Sequence, residues 1–148
     1  KFEIGKGAVL KEGDDVTIIA TGLMVNEALM AYEELKAEGI NARVVNMATI
    51  KPIDKDIILK AAKETGALVT AEEHNVIGGL GSAVAEVMAE AGKGCAFTRL
   101  GIQDTFAPIG LHEDIMSYLG IDSNGIIEAV REVMKADFEE DNDWDDEF

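Results

Sequence analysis

"ALVTAEEHNVIGGLGSAVAEV", residues 67–87, is the stretch on which the fold turns. Its first six residues, Ala67–Glu72, form a short apolar run of the kind that makes a buried strand. From Leu80 onward the pattern changes period. Leu80, Val84, Val87 and Met88 fall on one side of a helix continuing to Ala91. Between the two lies a charged and glycine-rich joint. A buried strand passing through such a joint into an amphipathic helix is the repeating step of an α/β protein.

The same step recurs on both sides of it. Val16–Thr21 (VTIIAT) reads as a buried strand ending at Gly22. Val25–Glu38 follows, with Val25, Ala28, Leu29, Tyr32 and Leu35 at helical spacing and Gly39 as the stop. Ala42–Met47 is the next strand. Lys51-Pro52 breaks the chain, and Asp54–Thr65 reads as a helix with Asp54 as its N-cap. Further on, Cys95–Leu100 is a strand, and a loop with Pro108 and Gly110 leads to a short helix near Glu113–Leu119. Ser123 is expected to cap a last helix to about Lys135, with Ile126, Ile127, Val130 and Met134 facing inward. Ala8–Lys11 adds a strand before the Gly13-Asp14-Asp15 turn. The expected fold class is α/β with a mostly parallel sheet of four or five strands.

Composition narrows the functional classes. The 148 residues suffice for one domain, and 47% apolar content can fill a core. The net charge is −16, and Phe138–Phe148 alone carries seven acidic residues and no basic one. The remainder still carries −9, with no clustered Lys or Arg, so nucleic acid and anionic lipid are not expected partners. No apolar run reaches the roughly 18 residues of a membrane span. The single Cys95 fits a reducing cytoplasm. The chain begins Lys1-Phe2-Glu3 without a Met, as expected of a fragment. Residues 1–137 are expected to form the domain, and 138–148 a disordered acidic tail.

The joint Glu72–Ser82 invites three chemical readings. In a parallel sheet, ligand crevices open beyond the carboxyl ends of the strands. Gly22-Leu23, Asn46–Ile50, Glu72–Leu80 and Gly101–Phe106 are the loops there. As a phosphate cradle the motif is weak. Val84 stands where a dinucleotide fingerprint needs Gly or Ala, and Glu72 and Glu73 would repel an anion. As a metal site it fails on alternation, since adjacent residues of an extended segment point to opposite faces. Joining it to His112-Glu113-Asp114 needs a contact that the sequence does not reveal. An acid–base reading would point Glu72 inward and use His74, histidine being the side chain that titrates near neutrality. No nucleophile accompanies them. The structural alternative gives Gly78, Gly79 and Gly81 to close backbone approach and Ser82 to a hydrogen bond in the first helical turn.

Taken together, "GDDVTIIATG", "VVNMATIKPID", "AAKETGALVTAEEHNVIGGLGSAVAEV" and "LGIQDTF" resemble the C-terminal domain of the transketolase family of thiamine-diphosphate enzymes. The resemblance runs from about Glu3 to Lys135. The His74 variant with Gly78-Gly79-Leu80-Gly81-Ser82 is most similar to split transketolases, whose C-terminal half is a separate polypeptide. The relatives include 1-deoxyxylulose-5-phosphate synthases and the β chains of 2-oxo-acid dehydrogenase E1 components. The resemblance implies a three-layer α/β/α domain around a five-stranded mixed sheet, with Ala8–Lys11 antiparallel to the rest.

It also implies a function for the complete enzyme, two-carbon ketol transfer between sugar phosphates. Thiamine diphosphate and a divalent metal such as Mg are expected there, between two other domains. No residue of this chain carries over as catalytic, cofactor-binding or metal-ligating. Glu72, Glu73, His74, Gly78, Gly79, Gly81 and Ser82 are then expected to be structural or interface groups. The expected partners are the N-terminal cofactor-binding domains or subunit, in a homodimer or heterotetramer. Two alternatives stand beside this reading. The parent enzyme is a deoxyxylulose-phosphate synthase or an E1 β chain, or the chain is a stand-alone module sensing an anionic metabolite at Gly78–Ser82.

Overall fold

The computed structural model describes residues 2–136. The elements in chain order are β1 (Ala8–Lys11), β2 (Val16–Ala20), α1 (Met24–Ala37), β3 (Ala42–Asn46) and α2 (Lys55–Thr65). There follow β4 (Ala67–Asn75), α3 (Leu80–Glu90), β5 (Ala96–Ile102), α4 (His112–Tyr118) and α5 (Ser123–Val133). The five strands lie in the order β1-β3-β2-β4-β5. β1 runs antiparallel to β3, and every other pair is parallel. The expected three-layer α/β/α architecture and the antiparallel first strand are both present. The expected tail, 138–148, lies outside the described residues.

The strand pattern follows from burial on both faces. In β2, Val16, Ile18 and Ala20 join α1 and α5 in one core, while Ile19 joins α2 and α3 in the other. A central parallel strand covered by helices on both sides must be apolar throughout, as VTIIA nearly is. Its one hydroxyl, Thr17, is fully buried and lies 3.1 Å from Thr65 Oγ1. β4 repeats the arrangement, with Val69 and Ala71 on the α1/α5 side and Leu68 on the α2/α3 side.

Local chemistry sets the helix ends. Asp54 caps α2 as expected, its Oδ1 accepting from the Ile57 amide at 3.3 Å. Its Oδ2 accepts from the Gly7 amide at 3.0 Å, which fastens the segment before β1 to the start of α2. Gly39, at φ 85°, takes the left-handed conformation that lets Ile40 N close on Leu35 O at the end of α1. The last helix departs from expectation. Its cap is Asp122, whose Oδ1 accepts from the Gly125 amide at 2.9 Å. Ser123 is instead the first helical residue, and its amide donates to Glu27 Oε2 at 2.8 Å. Met134 is not inward: α5 ends at Val133, so Met134 falls past the last apolar turn and is exposed.

Candidate functional site

The chain leaves β2 for α1 and β3 on one side of the sheet, and leaves β4 for α3 and β5 on the other. The switch point therefore lies between the adjacent strands β2 and β4, where Thr21 N still donates to Ala71 O. A cleft of about 410 Å³ opens there. Thr21 and Leu23 line it from the end of β2, Ile50 from the loop after β3, and Glu73, His74 and Gly79 from the joint after β4.

Within that joint the polar residues part company. β4 and β5 pair regularly up to Ala71↔Leu100, and the next pair is Asn75↔Ile102. β4 thus advances four residues while β5 advances two, a bulge centred on Glu72, Glu73 and His74. Glu72 keeps the phase of Leu68 and Thr70, points toward α3, and is 1% exposed. Its Oε2 accepts from the Leu80 amide at 2.7 Å and its Oε1 from the Gly81 amide at 2.9 Å. These are the first two amides of α3, which have no partner inside the helix. A buried carboxylate at a helix N-terminus is stabilised both by those bonds and by the helix dipole.

That contact explains the glycines. A Cβ at Gly79 would overlap the Glu72 carboxylate, and one at Gly81 would lie 2.7 Å from both Arg99 Cγ and Thr70 Oγ1. Gly78 has φ 80°, open only to glycine at low cost. Ser82 bonds backward into the joint, accepting from Gly78 N at 3.0 Å and donating to Val76 O at 2.9 Å. Arg99 of β5 donates to the same Val76 carbonyl at 3.1 Å and to Ser82 Oγ at 3.0 Å.

Glu73 and His74 are both exposed. Glu73 Oε1 meets His112 Nε2 at 2.8 Å, joining the end of β4 to the start of α4. His74 turns back on its own strand, with Nδ1 2.7 Å from Asn75 O and 4.0 Å from Glu72 Oε2. The two histidines are therefore not brought onto one ligand position. Among the described residues no group of three or more His, Cys, Asp or Glu is arranged to hold a metal ion. Cys95 is buried beneath α2 and α3, and desolvation pushes its thiol up to about 11.

The anion reading meets a direct obstacle. Two of the amides that would cradle a phosphate or a diphosphate at this helix, those of Leu80 and Gly81, are already bonded to Glu72, whose carboxylate occupies the place a second anion would take. At this helix terminus the described residues do not fit the diphosphate and metal of thiamine diphosphate. His112 enters the sequence analysis only as a candidate metal ligand, and the structure gives it instead to Glu73, while Arg99 does not enter it at all. Arg99 could have been noticed as a basic residue inside the largely apolar strand β5. Nothing in the sequence points from Glu73 to His112, 39 residues away.

The fold and this joint define a class, an α/β domain with a switch-point cleft whose helix-terminal anion position is filled from within. The transketolase C-terminal domain model matches residues 5–126, and the chain belongs to that family. It is 50% identical over 134 residues to a protein of Methanocaldococcus jannaschii provisionally named as a transketolase C-terminal section. That match covers 90% of this chain and 42% of the relative. A 6-deoxy-6-sulfo-D-fructose transketolase subunit of Clostridium sp. is 47% identical, with 90% and 41% covered. Among solved structures, a split-gene transketolase described as an inactive β4 tetramer superposes with TM-score 0.86 at 47% identity, covering 90% of this chain and 44% of that one. The chain thus spans less than half the length of these relatives.

Proposed function

We propose that this chain serves as the assembly domain of a transketolase, supporting a catalytic centre built by other domains. The observation that carries this reading is the occupation of the first two amides of α3 by Glu72. The position where a domain of this topology would hold a ligand is committed to the domain's own packing. Catalytic, cofactor-binding and metal-ligating residues are accordingly assigned to the rest of the enzyme. Glu72, Gly79 and Gly81 are assigned to structure, and Glu73 and His74 to the surface.

In the complete enzyme, thiamine diphosphate and a divalent metal ion would supply the carbanion chemistry of two-carbon ketol transfer. The substrates would be ketose and aldose phosphates of the pentose phosphate type. The partner is the N-terminal cofactor-binding part, and the assembly a homodimer or a heterotetramer. The high identity to a split-gene transketolase supports the two-polypeptide form. Residues 1–137 are the domain and 138–148 an acidic appendage. A cytoplasmic location is supported by the one cysteine being a buried free thiol.

A second reading has its own support. A 1-deoxy-D-xylulose-5-phosphate synthase of Heliobacterium modesticaldum is 43% identical over 134 residues, 90% of this chain and 21% of that protein. The same domain would then serve a synthase. Isothermal titration separates assembly from ligand binding: the complete enzyme binds thiamine diphosphate and this chain alone does not. Stoichiometric binding to this chain would overturn the proposal. Product analysis with a ketose phosphate donor, against pyruvate as donor, distinguishes the two parent enzymes.

A further inference from the structure

The exposed apolar side chains of this domain are unevenly placed. Thirteen large hydrophobic residues are exposed among the described residues, and eight of them sit at the carboxyl edge of the sheet. Leu23 follows β2, Ile50 follows β3 and Ile77 follows β4. Phe106, Ile109 and Leu111 lie on the loop after β5. The remaining two, Phe2 and Ile4, precede β1, which is antiparallel and so begins at this same edge, with Ala8 opposite Asn46. Gly5 N confirms the placement by donating to Thr49 Oγ1 in the loop after β3, at 2.9 Å.

The loop after β5 is the extreme case. Every residue from Gln103 to Asp114 is exposed. Phe106 and Ile109 stand at 101% and 106% exposure, so neither side chain packs on anything in its own domain. The Glu73–His112 pair holds the far end of the loop against β4, presenting these side chains beside the switch-point cleft. A clustered apolar surface of this kind marks an interaction site rather than ordinary surface variation.

We propose that this edge, centred on Phe106 and Ile109, is where the preceding cofactor-binding part of the same enzyme docks, through an apolar face of its own. The proposal rests on the assembly reading above. Two observations select this occupant over a second copy of the domain. The chain enters the domain at this edge, through Phe2 and Ile4, so any cofactor-binding segment carried ahead of it on the same polypeptide would emerge beside the patch. The matched relatives also hold more than half of their length outside the region shared with this chain.

The test is photo-cross-linking in the complete enzyme. Phe106→p-benzoylphenylalanine is compared with Met30→p-benzoylphenylalanine, Met30 being an exposed residue of α1 away from this edge. Both replaced side chains are solvent-exposed, so folding is preserved. The expected result is cross-linking from position 106 to peptides of the cofactor-binding part, at a yield at least tenfold above that from position 30. Cross-links from 106 to a second copy of this domain, or yields no higher than at position 30, would overturn the proposal. Thiamine diphosphate binding by the unmodified complete enzyme is measured separately. Its absence would refute the assembly reading while leaving the cross-linked face established.

Discussion

The buried carboxylate of Glu72 occupies the space that a Cβ at position 79 would need, so the acid and the glycine are one structural unit. Glu72 reaches across eight residues to the first amides of α3, and Gly79 leaves the room for it to arrive. Glu72→Ala should destabilise the domain by about 2–4 kcal/mol, because two buried amides lose a charged acceptor. Gly79→Ala should cost a similar amount through overpacking. The double variant should be less destabilised than the sum, since removing the carboxylate frees the space for the methyl group. Urea midpoints for the three variants measure this, and strict additivity would show that the two residues do not share the site.

Asp54 joins two parts of the chain through its two oxygens, capping α2 and receiving the Gly7 amide. Asp54→Ala should cost about 1–3 kcal/mol. Amide exchange in Ala8–Lys11 should accelerate more than in β2, because β1 is an edge strand fastened partly by this contact. Uniform acceleration across the sheet would argue against that local role.

The Glu73–His112 pair is half-exposed at both ends, so its worth to global stability is small. His112→Ala should change stability by less than about 1 kcal/mol. Its effect should appear instead as faster amide exchange in residues 103–111, which it holds to the end of β4. No change in that loop would mean that the pair does not restrain it.

Cys95 provides a pH-dependent signature. Its folded thiol is pushed up to about 11, above the ordinary value of 9.0. Between these values the unfolded chain loses the proton and the folded chain keeps it, so the native state binds more protons and stability falls as pH rises. Cys95→Ala should remove up to roughly 3 kcal/mol of that loss between pH 9 and 11, taken as a difference from the unmodified protein. The thiol should also resist alkylation at pH 8 until the domain unfolds. Rapid modification of the native protein would contradict the burial.

Much of the fold is legible in the chain because its determinants are local. The apolar run Val16–Ala20 and the helical spacing within Met24–Ala37 state their periods within a few residues. Asp54 acts three residues from the amide it caps, and Gly39 ends a helix by its own backbone conformation. The misplacement at Ser123 shows the limit of such reasoning. Asp122 and Ser123 are both good caps, and Glu27, 96 residues away, draws the Ser123 amide to itself.

The functional joint divides along the same line. Sequence alone determined that Glu72–Ser82 lies between a strand and a helix at the carboxyl edge and that its carboxylates disfavour an anion, and it offered close approach as one reading of its glycines. Only the tertiary structure decided that Glu72 fills the helix terminus, that Glu73 takes His112 and that Arg99 bonds to the joint. The difference is one of range. Periodicity is written into neighbouring residues, whereas a buried carboxylate finds its partners only after packing has excluded water and fixed which amides remain unpaired.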